Sequence, residues 1–308
     1  MKALIWDCFS GIAGNMAVAS LLDLGADKEK LTKAIASMNF SEGPLQLIFD
    51  EKQSQGIRGL YFNTADDHHE HDHDHYHAHE QNHDHSHNHA EHHHHDDHEH
   101  HSHNDDHHHH DDHEHHSHRQ AEHHHHHAPH RGMKEIRLLI EKADLSENAR
   151  QIALSCFEAL AESEATIHGK SVDEVHFHEV GARDSIADIV GAAVCIDDLG
   201  ITEILTTPVH LGSGMIKCAH GVIPVPAPAT ALLLKDFPVV VDTSVPFELT
   251  TPTGAAILKG LHAKPLQKKE FSYSKVGHGL GKKEIGRPNF LRAFLINSDQ
   301  SEKKKLIS

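Results

Sequence analysis

Apolar and polar positions alternate with two different periods along this chain. Residues 2–6 form a short apolar run suited to a buried strand, and Ile12–Leu24 repeats apolar and small residues at helical spacing until Gly25 stops it. A second helix is predicted over Asp27–Met38. Leu45–Gln53 and Ile57–Thr64 alternate with a period of two around Gln55-Gly56, which predicts two strands joined by a turn. The chain therefore begins β-α-α-β-β. Helical periodicity returns near Met133 with Ile136, Leu139 and Ile140. It continues over Ser146–Ile167, where Ile152, Cys156, Phe157 and Leu160 share a face and Gly169 follows as a stop. Another helix starts near Asp184, turns Ile186, Ile189, Val190, Val194 and Leu199 inward, and ends at Gly200. Ile204–Leu211 and Met215–Cys218 then read as strands, Pro228–Leu234 and Thr251–Leu261 as helices, and Leu291–Ile296 as a closing strand. The expected fold class is mixed α/β (α+β).

One stretch has neither period. Residues 66–130 hold 33 of the 40 histidines and seventeen acidic residues against a single base, Arg119, so sixteen of the eighteen net negative charges lie there. Such a composition cannot bury enough apolar surface to offset its ordering entropy, and a mobile insert is expected. The predicted organisation is an N-terminal part at 1–65, an insert at 66–131, the α/β remainder of the same core at 132–298, and a flexible tail at 299–308. Outside the insert the chain is close to neutral and carries no basic stripe, which argues against a nucleic-acid or anionic-membrane partner. No apolar run approaches the roughly 20 residues that span a bilayer, and Met1–Asp7 lacks the features of a signal peptide. A cytoplasmic location is expected. Cys8, Cys156, Cys195 and Cys218 are widely spaced, so free thiols are expected rather than a disulfide framework or structural zinc site.

Four segments carry candidate chemistry. In the insert, imidazoles suited to nickel, copper or zinc alternate with carboxylates that ease the approach of a divalent cation. The densest runs are His92, His93, His94 and His95; His107, His108, His109 and His110; and His123, His124, His125, His126 and His127. A solvated insert with no dedicated role is the plainer alternative. A second segment runs from His176 through His178 and Glu179 to Asp184 and Asp188. With residues 175–179 extended, His176 and His178 would share one face, while Asp184 and Asp188 share a helix face four residues apart, so four ligand-type side chains could converge. Equally, Asp184 could cap its helix and the histidines could sit on a surface strand. His210 and His220 lie in glycine-rich surroundings and are further candidate ligands, although His220 could be a solvated hairpin residue. The third segment, Asp7–Met16, passes a strand into a helix through Ser10, Gly11, Gly14 and Asn15, where backbone amides at a helix start can hold a phosphate or carboxylate. It is neither a P-loop nor a GxGxxG turn. Fourth, Thr251 and Thr253 flank Pro252 at a helix start, an ordinary N-cap arrangement or an anion-binding terminus.

In order and spacing, Asp7–Met16, the histidine-rich insert, His176–Gly191, Gly212–Leu234, Glu248–Ala256 and Gly277–Arg292 resemble the nickel-insertion proteins of the LarC family over almost the whole chain. The resemblance implies insertion of Ni(II) into pyridinium-3,5-bisthiocarboxylic acid mononucleotide, with CTP consumed in the presence of Mg(II) or Mn(II). For that reaction, side-chain chemistry suggests His176, His178, Asp184 and Asp188 as metal ligands and Glu179 as the base. The Ser10–Asn15 turn would hold the substrate. Two departures stand out: Asn15 replaces the family's usual Asp, and the chain ends at Ser308 where the family continues into a second, CTP-binding domain. The Lys303–Lys305 run suggests the unshifted product of a programmed frameshift, so the expected partner is a C-terminal domain of this family, separate or in the frameshifted full-length form. A nickel store or chaperone acting through the insert is the alternative function.

Overall fold

The computed structural model describes residues 2–65, 131–177, 180–268 and 270–297, all within one compact unit. The strands are β1 (Lys2–Asp7), β2 (Leu47–Ser54), β3 (Ile57–Thr64), β4 (Glu203–Thr206), β5 (Val209–His210), β6 (Met215–Cys218), β7 (Gly221–Pro224), β8 (Val239–Val240), β9 (Lys264–Pro265), β10 (Lys275–Leu280) and β11 (Phe290–Asn297). The helices are α1 (Gly14–Leu24), α2 (Lys28–Ala36), α3 (Met133–Lys142), α4 (Glu147–His168), α5 (Arg183–Leu199), α6 (Pro228–Leu233) and α7 (Pro252–Gly260). Seven strands form the main sheet in the order β2-β3-β10-β11-β1-β4-β9, and the pairs β5-β8 and β6-β7 stand apart. The class is mixed α/β.

β1 lies inside the sheet, antiparallel to β11 and parallel to β4, with Leu4, Ile5 and Trp6 fully buried. The Trp6 indole N–H donates to Ser20 Oγ on α1 at 3.1 Å, which satisfies the one polar atom that this large side chain takes into the core. Helix α1 packs on β3, β10 and β11, and α5 packs on α1. This contact requires glycine in the sheet: a Cβ at Gly279 would lie 2.0 Å from Met16 O, and one at Gly277 would lie 2.5 Å from Ser20 O. Two side-chain-free positions on one strand thus let α1 lie close against β10.

Most elements lie where the hydrophobic periods place them. Gly25, Gly169 and Gly200 end α1, α4 and α5 in the left-handed conformation, and Asp27 and Ser146 cap α2 and α4 through their side chains. Ile204–Leu211 differs from expectation. Pro208 interrupts it, so β4 pairs with β1 while β5 pairs with β8 in another sheet. Strand β10 carries glycines at 277 and 279, which dilute its alternating pattern. The sequence reading did not anticipate it. The insert and residues 178 and 179 lie outside the described residues. Arg131, at the predicted end of the insert, is buried; its guanidinium pairs with Glu42 and donates to Gly181 O at 2.9 Å.

Candidate active-site cleft

Several chain segments converge on a cleft of ≈ 240 Å³. Ser10, Ala13, Asn15 and Met16 reach it from the turn before α1 and the first turn of that helix. Asp184 and Asp188 line it from successive turns of α5, and Thr251 from the N-cap of α7. Phe247 and Glu248 belong to the segment leading into α7, while Lys282, Lys283 and Asn289 come from the β10–β11 connection. Asn63 and Thr64, at the end of β3, complete the wall.

Three helices therefore present their N-terminal ends to one space. Each such end carries a partial positive charge, although at α7 the Gly254 N–H is taken up by Thr251 Oγ1 at 3.2 Å, so together with the two lysines they favour an anion. Asp184, Asp188 and Glu248 bring the opposite charge. The cleft thus combines a cationic part suited to a phosphate with carboxylates on its other walls.

Local packing explains the glycines. At Gly11, φ is +74° and a Cβ would lie 2.2 Å from Leu249 O, so the turn presses directly on the segment before α7. A Cβ at Gly14 would lie 2.5 Å from Asp188 Oδ2 and 2.7 Å from Thr253 Cγ2. Gly14 is where α1, α5 and α7 meet. Gly11, Gly14 and Thr253 accordingly let the walls close and do not themselves line the cleft. The turn's amides also have internal partners: Gly11 N–H donates to Cys8 O at 2.9 Å and Ile12 N–H to Thr250 Oγ1 at 3.3 Å.

The remaining sequence candidates divide clearly. Ser10, Asn15, Asp184, Asp188 and Thr251 share the cleft. Asp184 sits in the first turn of α5, whose N-cap is Ala182, so it does not fill the cap position. His176 is exposed, with Nδ1 3.2 Å from Glu174 O, and is not among the residues lining the cleft. His220 occupies the β6–β7 turn beside the ring of His168, at 5.1 Å between centroids. His210 ends β5 with Nδ1 3.8 Å from Asp242 Oδ2. His178, Glu179 and the histidines of the insert lie outside the described residues. Among the described residues, no three His, Cys, Asp or Glu side chains are placed to hold a metal ion. Lys282, Lys283, Glu248 and Asn289 were not selected from the sequence. The signal available there was a pair of lysines directly after the Gly277–Gly281 run, and a lone carboxylate three residues before a helix cap.

Two further features bear on chemistry. The Asp242 carboxyl is lowered to about 2 by hydrogen bonds from Ser244 and Arg287. None of the four cysteines forms a disulfide; burial pushes the Cys156 thiol up to about 12 and raises those of Cys8 and Cys195 as well. These three are protonated at neutral pH and are poor soft-metal ligands.

Comparison with known proteins decides the family. The sequence model described as "Nickel insertion protein" matches residues 4–308. The chain belongs to the nickel insertion protein family. It is 39% identical over 306 residues to the pyridinium-3,5-bisthiocarboxylic acid mononucleotide nickel insertion protein of Clostridium kluyveri, covering 98% of this chain and 64% of that protein. The proteins of the same name from Akkermansia muciniphila and Clostridium acetobutylicum are 36% and 39% identical, over 98% and 96% of this chain and 62% and 64% of their own lengths. The chain thus spans a little under two thirds of the length of these curated relatives. No solved structure matches it. None of the described helices is long and apolar enough to cross a membrane.

Proposed function

We propose that the cleft binds pyridinium-3,5-bisthiocarboxylic acid mononucleotide and presents it to Ni(II), the second substrate of the insertion. The observation that carries this reading is the meeting of three helix N-termini, Lys282 and Lys283 with the carboxylates of Asp184, Asp188 and Glu248 around one cleft. The lysines and helix ends would hold the phosphate, leaving the pyridinium ring toward the carboxylates. Nickel–sulfur bonds form to the two thiocarboxylates, and a nickel–carbon bond replaces a ring C–H bond. The released proton requires a base, for which Glu179 is the candidate on motif chemistry and a cleft carboxylate the competitor. CTP with Mg(II) or Mn(II) would act through the part of the protein that the longer relatives have and this chain does not match. That part, as a separate polypeptide or within a frameshifted full-length form, is the proposed partner.

The composition of residues 66–130, with 33 of the 40 histidines, favours a second reading in which the chain stores or carries nickel. A turnover assay for the nickel-pincer product, using the pyridinium substrate, Ni(II), CTP and Mg(II) or Mn(II), separates the two. The insertion reading requires product when this chain is supplied with the C-terminal part of a relative, and sensitivity of that product to Asp188→Asn. Nickel retention with no product under either condition supports storage instead.

A further inference from the structure

Arg287 belongs to the same β10–β11 connection that carries Lys282 and Lys283 to the cleft, but it points to a different partner. Its Nη2 donates to Asp242 Oδ2 at 2.6 Å and to Phe9 O at 3.4 Å. Asp242 is held in turn by the Ser244 N–H at 3.1 Å and the Ser244 hydroxyl at 2.5 Å. The Asp242 segment follows β8, which pairs with β5; beyond β5, Gly212 bridges to Glu248 in the cleft wall. On the other side, Asn289 Nδ2 donates to Lys283 O at 2.8 Å, and Ser10 Oγ donates to Pro288 O at 3.3 Å. The Arg287–Asp242 pair therefore joins the segment bearing the lysines to the framework bearing Glu248 and to the turn bearing Ser10.

Charge gives this junction its importance. Lys282, Lys283 and Arg287 place three cations within six residues of one connection, with Glu284 the one acid among them, so the connection carries a net positive charge. An ionised carboxylate at Asp242 neutralises Arg287 and fixes its direction, which anchors one end of the connection whose two lysines line the cleft. An isolated surface ion pair would contribute little, but this one has a carboxylate with three donors and a guanidinium with a second acceptor.

We propose that Arg287 and Asp242 act as positioning residues, a clasp that holds Lys282 and Lys283 where they grip the substrate phosphate. The proposal rests on the nucleotide-binding reading of the cleft. Neither residue touches the reacting atoms. Its signature is a selective loss of phosphate recognition.

The test compares the full chain's affinity for nicotinate mononucleotide, a pyridinium mononucleotide, with that for the corresponding riboside, which lacks the phosphate, by calorimetry. Wild type should prefer the mononucleotide by about tenfold, the scale of one charge-assisted phosphate contact. Asp242→Asn and Arg287→Gln should each reduce the preference to about twofold, and the double variant should fall no further because both break one interaction. Arg287→Lys should retain most of it as the conservative rescue, and Asp242→Asn is the decisive variant if Arg287→Gln unfolds. An unchanged preference in Asp242→Asn and Arg287→Gln, or equal weakening of both probes, overturns the clasp while leaving the cleft reading intact. Failure of the wild type to bind either probe overturns both.

Discussion

The aspartates and the histidines of the ordered core, grouped together by sequence spacing, have separate places in the structure. Asp184 and Asp188 lie on consecutive turns of α5 and both face the cleft, while His176, His210 and His220 lie outside its lining. The difference comes from the elements that carry them. A separation of four along a regular helix fixes two side chains on one face whatever surrounds it. His176 is in a segment paired with its surroundings by an isolated bridge to Gly132, and His210 and His220 are on short strands or turns whose direction depends on tertiary partners. Spacing is therefore a stronger guide on α5 than in the irregular chain before it.

The largest effect should come from removing the carboxylates. Asp184→Asn with Asp188→Asn should lower nickel-pincer formation, assayed with the C-terminal part of a relative, by roughly a hundredfold or more, given about 1.5–3 kcal/mol for each charged contact. His176→Ala and His220→Ala, singly or together, should stay within about twofold, as exposed substitutions away from a site usually do. Comparable losses from the histidine changes would erase the distinction.

A smaller effect tests how closely the cleft walls meet. Gly14→Ala puts a methyl group 2.5 Å from Asp188 Oδ2 and should destabilise the fold by about 1–3 kcal/mol, as overpacking does. Gly43→Ala, where the added Cβ meets nothing within 4 Å, tests the backbone conformation alone because φ is +97°. Gly14→Ala should therefore reduce cleft binding as well as the urea midpoint, whereas Gly43→Ala should reduce only the latter.

The smallest effect separates Asp242 from its histidine neighbour. With its folded pKa lowered to about 2, Asp242 contributes stability that is complete above its ordinary value near 4 and disappears as pH falls toward 2. Arg287→Gln should raise that pKa and flatten the acid limb of the stability profile between about pH 4 and 2. His210→Ala should leave the limb nearly unchanged, because the main donors to Asp242 are Ser244 and Arg287. A pH series of urea midpoints distinguishes these outcomes.

The helices and the opening β-α-α-β-β run were legible because each rests on local signals: an apolar face, the caps at Asp27 and Ser146, and the stops at Gly25, Gly169 and Gly200. β10 was hidden because Gly277 and Gly279 replace the side chains that would show alternation, and their reason for being glycine lies on α1, more than 250 residues away in sequence. Pro208 was visible, but the change of strand partner that it accompanies depends on β8. In the cleft, Asp184 and Asp188 could be found from helical spacing and Thr251 from its cap. Lys282, Lys283 and Glu248 become neighbours of those residues only through the β10–β11 hairpin and the Gly212–Glu248 bridge. Long-range pairing of that kind leaves little trace in local pattern.

The most direct test of the cleft is a calorimetric titration of the full chain and its Lys282→Ala, Lys283→Ala double variant with nicotinate mononucleotide at low ionic strength. The account predicts saturable binding at one site per chain in the wild type, weakened at least about tenfold in the double variant and progressively weakened by salt in the wild type. Undetectable wild-type binding, or equal affinity in the two proteins, would contradict the assignment of this cleft to a phosphate-bearing pyridinium substrate.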